Sequence, residues 1–200
     1  MTTTIILIRH GETNKNASEK IHLVNDPEPL NELGRKQIQK TAEKLLGRKL
    51  HKIYSSLEPR AIESAKIVAS LNKIDHQSHK NLGERNWGVH QSKFWLEIKE
   101  ILDHMSIEKR HKWIPKGGES WEQFEKKLTR AVHEIIKDNE GKTVVVVTHG
   151  GSLRAMMPTF LNIPKEKRFD YFFSNASISE FEFDGKNFKE VKINDTSHLG

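Results

Sequence analysis

Two histidines in this chain each close an apolar run and precede a glycine. Ile5-Ile6-Leu7-Ile8 ends in Arg9-His10-Gly11, and Thr143-Val144-Val145-Val146-Val147-Thr148 ends in His149-Gly150-Gly151. A lone histidine in such a place reads as a strand cap or a core group. Two matched strand–His–Gly elements read as one site, because parallel strands deliver their C-terminal ends to a common crevice. Arg9 and Arg60 can present planar guanidinium forks, which suit the oxygens of a phosphate. A phosphomonoester carries about two negative charges near neutral pH, so several fixed donors are needed to hold it. In such a site His10 with one nitrogen deprotonated is the nucleophile, and attack in line leaves a phosphohistidine. A protonated His149 would steady the charge on the equatorial oxygens; positioning and electrostatics do most of the work in this chemistry.

Glu84 lies in a glycine-flanked loop, Leu82-Gly83-Glu84-Arg85-Asn86-Trp87-Gly88. It is the candidate proton donor to the leaving alkoxide and then the base that activates water. That role asks the carboxyl to hold a proton near neutrality, which a neighbouring Trp87 and partial burial would favour. Each residue also has a plainer reading. Arg60 is placed to pair with Glu58 or Glu63, Glu84 would by default be solvated, and Glu12 and Thr13 need do no more than fix a turn. His22, His51, His76, His79, His90, His104, His111, His133 and His198 are expected at the surface. A metal site on His10 and His149 lacks any accompanying ligand spacing, so neither metal nor cofactor is expected.

The elements that must position these groups alternate between strand and helix. Asn31 is a candidate cap for a helix running to about Leu46, with Gly47 at its stop. Lys52–Ser55 reads as a short strand, and Pro59 opens a helix carrying Ile62, Ala65, Val68 and Leu71. Phe94 to Met105 is predicted helical. Ser120 and Gln123 form a capping-box pattern ahead of a long amphipathic helix, and Ser152 to Leu161 should be another. The unbroken valine run is typical of a strand buried on both faces. Ser177–Phe183 and Phe188–Ile193 flank Asp184-Gly185 as a hairpin. The predicted fold class is α/β: a three-layer α/β/α sandwich with a mostly parallel central sheet.

At 200 residues, 35% hydrophobic and 30% charged, the chain fits one domain over 1–200 with much solvated helix surface. Met1-Thr2-Thr3-Thr4 enters the first strand directly, so neither a signal peptide nor a membrane span is expected. The absence of cysteine rules out disulfides and thiolate catalysis, and fits a reducing, cytoplasmic setting. A net charge of +6 suits an anionic substrate, but the lysines are dispersed and no groove-reading or aromatic–basic motif points to nucleic acid. A homodimer is compatible with the sequence.

These residues resemble the signature segments of the histidine phosphatase superfamily, the phosphoglycerate mutase-like enzymes. Arg9-His10-Gly11-Glu12-Thr13 with Asn16 is similar to its first motif, and Leu30-Asn31-Glu32-Leu33-Gly34 to its second. Ser55-Ser56-Leu57-Glu58-Pro59-Arg60-Ala61 is similar to its Ser-Ser…Arg-Ala segment. Glu84-Arg85-Asn86-Trp87-Gly88 stands in the place of its acidic loop, Gly118-Glu119-Ser120 in that of its Gly-Glu-Ser turn, and His149-Gly150-Gly151 in that of the second histidine. The tail, Asn194 to Leu199, is similar to the ending of several phosphatase members. The resemblance runs nearly the whole chain. It implies a phosphoglycerate mutase-like fold and a metal-independent histidine acid-type phosphatase. His10 would be its nucleophile, Glu84 its proton donor, and Arg9, Arg60 and His149 its phosphate pocket, with Asn16 and the Gly150 N–H as supporting contacts.

Within that family the short stretch between Glu84 and Gly118 leaves no room for the long insertion usual in cofactor-dependent mutases. Gly151 also replaces the asparagine those enzymes tend to have. Glu84-Arg85 with Gln91, and Ser152-Leu153-Arg154, are mutase-like, and Lys15 stands where the family often has tryptophan. Hydrolysis of small phosphorylated metabolites is therefore the leading expectation, with phosphoglycerate mutase activity second and a non-catalytic phosphate-binding module third. The variable segment of about 91–117 should cap the pocket with Phe94, Trp95, Met105 and Trp113. Its cations, Lys109-Arg110-His111-Lys112 and Lys116, either attract a second acidic group on the substrate or form an exposed helix end.

Overall fold

The computed structural model describes all 200 residues. Its centre is a six-stranded sheet in the order β3-β2-β4-β1-β5-β6. The strands are β1 (Thr3–Arg9), β2 (Lys52–Ser55), β3 (His76–Ser78), β4 (Thr143–Thr148), β5 (Ile178–Phe183) and β6 (Phe188–Asp195). β1, β2, β3 and β4 run parallel, while the β5–β6 hairpin adds an antiparallel edge. The helices are α1 (Asn14–Ala17), α2 (Glu32–Lys44), α3 (Pro59–Asn72), α4 (Trp95–Asp103), α5 (Ile107–Lys112), α6 (Trp121–Asp138) and α7 (Gly150–Leu161).

Side chains alternate across β1 and β4 because a strand repeats every two residues. Ile5, Leu7, Val144 and Val146 join a core with Trp121, Phe124 and Leu128 of α6 and Leu153 and Met156 of α7. Ile6, Ile8, Val145 and Val147 join a second core with Ile38 and Ala42 of α2 and Ala61, Ala65 and Val68 of α3. A sheet apolar on both faces must be covered twice, and so the molecule has three layers.

Local signals place the helices. Asn31 accepts the Gly34 N–H at 2.7 Å and starts α2; Ser120 and Gln123 form a reciprocal capping box at α6; Pro59 occupies the first turn of α3. β3 was not anticipated. His76-Gln77-Ser78 carries no strand-forming residue, and it pairs with β2 only because that edge is open. Short 3-10 turns at Lys80–Leu82, Gly88–His90 and Lys165–Asp170 were likewise unforeseen.

One packing contact ties the sheet to the site. The backbone after β1 lies directly on α2: a Cβ on Gly34 would fall 2.1 Å from the Glu12 carbonyl oxygen, and one on Gly11 would fall 2.4 Å from the Gly34 oxygen. Only two glycines permit that approach. Gly34→Ala should therefore overpack this seam and cost about 1–3 kcal/mol. Thermal unfolding should register it as a fall of roughly 2–4 °C per kcal/mol; an unshifted transition would show that the seam relaxes freely.

Candidate active site

β1 and β4 are hydrogen-bonded neighbours whose register pairs Arg9 with Thr148. The next residue on each strand is a histidine, so the two imidazoles emerge side by side with ring centroids 5.1 Å apart. Both are buried, at 2% and 1% exposure. His10 places Nδ1 2.7 Å from the Gly11 carbonyl oxygen, which can only accept, so Nδ1 carries the proton and Nε2 keeps its lone pair. Arg60 Nε donates to that Nε2 at 3.3 Å. Burial first, then the charges of Arg60, His149, Arg9 and His22, hold His10 well below the ordinary imidazole range. It is a neutral base aimed into a cationic pocket.

That pocket encloses about 350 Å³ and is lined by Arg9, His10, Asn16, Arg60, Glu84, His149 and Gly150, all the residues singled out from the sequence. Arg60 is fully buried and is not engaged by Glu63, whose carboxylate takes Arg35 at 2.6 Å. Burial pulls Arg9 down to about 10 against the opposing pull of Glu84, with Arg154 and Arg60 adding to the drop; it remains a cation. Arg9 Nε, Arg60 Nη1 and His149 Nδ1 are buried with no hydrogen-bond partner in the protein. Donors left so are costly unless a ligand accepts them. Asn16 Oδ1 is fixed by Thr13 and by Asn175, whose Nδ2 also donates to the His10 carbonyl. Thr13 and Glu12 do fix the turn: Thr13 caps α1, and Glu12 accepts from Asn31 at 2.9 Å.

Glu84 reaches the pocket from its loop. Its carboxylate accepts the Gly151 N–H at 2.9 Å and the Arg85 N–H at 2.7 Å. A Cβ on Gly151 would lie 2.3 Å from Glu84 Oε1, so a side chain there would displace the carboxylate from the start of α7. Trp87 lines the same cavity as Glu84. Its ring takes the Arg85 guanidinium at 4.2 Å, and Trp121 receives the same cation at 4.9 Å.

The sequence does not mark His22 as a site residue, and it gives Arg154 only as part of the mutase-like Ser152-Leu153-Arg154 segment. His22, expected at the surface, lies edge-on to His10 at 6.0 Å, with Nε2 2.9 Å from the Thr13 hydroxyl. Burial, then the charges of Arg60 and His149, lower it to about 2. His51, His104 and His133 are exposed as expected, whereas His76, His79, His90, His111 and His198 are half-buried. Arg154, one turn into α7, also lines the pocket, its Nε donating to the Tyr171 carbonyl at 3.0 Å. It forms no ion pair. From the variable segment only Trp95 reaches the pocket. Phe94 is exposed against Lys20, and Trp113 packs on His90 and Arg85. Lys109, Lys112 and Lys116 are exposed, Lys112 pairing with Glu108 at 2.9 Å, whereas Arg110 and His111 are half-buried. None of these cations lines the pocket. No three His, Asp or Glu side chains gather in a metal-binding group.

The model of the histidine phosphatase superfamily, branch 1, matches residues 5–196. The chain belongs to that superfamily. It is 34% identical over 202 residues to phosphoglycerate mutase-like protein 4 of Arabidopsis thaliana, covering 98% of this chain and 86% of that one. With phosphoserine phosphatase 1 of Hydrogenobacter thermophilus it shares 29% identity, covering 98% and 94%. The solved structure of Bacillus stearothermophilus YhfR matches with a TM-score of 0.87 at 30% identity, covering 99% of this chain and 100% of that one. Phosphoserine phosphatase of Entamoeba histolytica in complex with 3-phosphoglyceric acid matches with a TM-score of 0.85 at 25% identity, covering 98% and 99%. The six-stranded sheet is thus the superfamily's fold. No helix is long and apolar enough to cross a membrane.

The buried imidazoles give the site a pH signature. The unfolded chain protonates both His10 and His22 near the ordinary value of about 6.5, and the fold resists this. Proton uptake then favours unfolding, so stability should fall as pH drops below about 6.5, by up to roughly 1.4 kcal/mol per pH unit for each histidine. Urea unfolding of the ligand-free protein between pH 7.5 and 5 should show that slope, and His22→Asn should flatten it. A wild-type curve with no slope there would rule out buried neutral imidazoles.

Proposed function

We propose that this protein is a metal-independent phosphomonoester hydrolase of the histidine acid type, acting on small phosphorylated acids through a phosphohistidine on His10. The observation that carries this reading is the His10 tautomer. Its Nδ1 proton is committed to the Gly11 carbonyl, and Nε2 faces a pocket whose unpartnered nitrogens come from Arg9, Arg60 and His149. A phosphoryl dianion bound to those nitrogens puts phosphorus within reach of Nε2. Nε2 forms the N–P bond as the ester P–O bond breaks, and protonated Glu84 gives its proton to the departing alkoxide. Glu84, now a carboxylate, takes a proton from water, whose oxygen attacks phosphorus and releases inorganic phosphate. His10 is returned neutral and Glu84 protonated. Arg9, Arg60 and His149 hold the equatorial oxygens throughout, with Asn16 and the Gly150 N–H as further contacts.

Arg154 supports an acidic substrate. It is a largely buried cation without an ion-pair partner, and it lines the same cavity as Arg9 and His10. A carboxylate on the leaving group would supply that partner through charge-assisted hydrogen bonds. Phosphoserine phosphatases among the relatives agree with this chemistry. A freely diffusing metabolite as substrate fits a cytoplasmic enzyme. Relatives named as probable phosphoglycerate mutases keep a second outcome in view, in which His10 returns the phosphoryl group to another hydroxyl.

Purified protein should release inorganic phosphate from O-phosphoserine or 3-phosphoglycerate without added metal, and His10→Ala should abolish it. Isomerised 3-phosphoglycerate in the presence of its bisphosphate, without phosphate release, would establish a mutase instead. Arg154→Ala should shrink the preference for carboxylate-bearing over aryl phosphomonoesters by about tenfold to a hundredfold. An unchanged ratio would remove Arg154 from substrate selection.

A further inference from the structure

Glu58 stands at the N-cap of α3, where a side chain ordinarily accepts hydrogen bonds from the first helical turn; it makes none. Its carboxylate turns inward and is buried, at 11% side-chain exposure, with no lysine or arginine paired to it. Oε2 lies 3.3 Å from His149 Nε2, a nitrogen that also meets the Ser56 hydroxyl at 2.8 Å. Oε1 accepts the backbone N–H of Glu84 at 3.2 Å. Burial pushes the Glu58 carboxyl up, but the His149 charge and hydrogen bond, Ser56 and Arg60 together hold it well below the ordinary carboxylate range. It is therefore an anion, kept in a place where an unpaired anion would be expensive.

We propose that Glu58 is a positioning residue for both halves of the catalytic apparatus, acting through His149 and through the backbone of Glu84. With its proton on Nε2, His149 faces the Ser56 hydroxyl at 2.8 Å and Glu58 Oε2 at 3.3 Å, and Nδ1, buried and unpartnered, is the nitrogen offered to the phosphoryl oxygens. In a neutral ring with Nε2 protonated, Nδ1 carries a lone pair, which an anionic oxygen repels. Binding of the dianion thus calls for a second proton on the ring, and Glu58 is the countercharge behind the imidazolium so formed. Its other oxygen holds the loop that delivers Glu84, so one buried carboxylate sets the spacing between proton donor and phosphate clamp. This inference rests on the roles assigned above to His149 and Glu84.

The first test is nitrogen-15 NMR of the histidine-labelled protein, free and with orthovanadate bound. His149 should carry its proton on Nε2, with a strongly downfield N–H resonance, and both ring nitrogens should be protonated in the vanadate complex. With p-nitrophenyl phosphate, Glu58→Gln should lower kcat on the order of a hundredfold while KM stays within about threefold, and Glu58→Asp should recover part of the loss. An unprotonated Nε2 in the wild-type protein overturns the inference, as does a Glu58→Gln enzyme with wild-type kcat. Should the variant fail to fold, the wild-type spectra alone decide. The spectra need no turnover, so they also separate failure of this inference from failure of the hydrolase reading.

Discussion

Mutual repulsion among buried cations is the constraint on which this molecule is built. Arg9, Arg60 and Arg154 converge on one cavity with His10, His22 and His149. Gathering such groups away from water costs several kcal/mol per unpaired charge. The fold limits the cost in two ways. His10 and His22 are kept neutral by burial and by the arginines themselves. The Glu58 carboxylate is set behind His149, and Glu84, an anion until the substrate dianion brings it a proton, lies over the first turn of α7. What positive potential remains is fixed in place before any substrate arrives, and a preorganised field of that kind needs no rearrangement during the reaction.

Holding like charges together demands a stiff frame. Neighbouring parallel strands provide it, since the spacing between His10 and His149 follows from ladder register and not from loop conformation. Glu84 has no strand beneath it, and its loop is anchored by the residue that follows. Arg85 is almost fully buried; it donates to the carbonyls of Glu119 and Trp113 and stacks on Trp87 and Trp121. Trp121 in turn belongs to the core under α6. Glu84, the proposed proton donor, is thereby tied through one buried cation to the hydrophobic interior.

How much of this is legible in the sequence varies with the physics of each residue. His10 and His149 announce themselves because a β-branched run ending in His-Gly has a single geometric consequence. Arg60 and Glu84 look ordinary in isolation, the one an early helical arginine and the other a loop carboxylate, and only the family's segment order picks them out. His22 sits in a polar loop whose path is set by tertiary contacts, so no local pattern marks it. Glu58 reads as an unremarkable N-cap, because nothing in a one-dimensional string tells which way an N-cap side chain turns. The basic run 109–112 attracts attention by charge density, yet charge at the surface of a short helix is the commoner arrangement, and α5 shows it. β3 escapes because edge pairing can recruit residues with no strand preference.

In the proposed mechanism, the openness of the site bears on the fate of a phosphohistidine at His10. A mutase must keep water from the phosphohistidine while a second hydroxyl is brought up, which calls for chain folded over the mouth. Here the segment from 91 to 117 is short and lies to one side. Ile98 and Leu102 of α4 are buried in the core beneath α6, and α5 runs along the surface with Glu108, Lys109 and Lys112 exposed. Only Trp95 from the whole segment reaches the cavity, and Phe172 at its rim is 66% exposed. In the proposed reaction that exposure leaves phosphorus open to water beside Glu84. On that reading, access to the intermediate favours hydrolysis over transfer to a second hydroxyl.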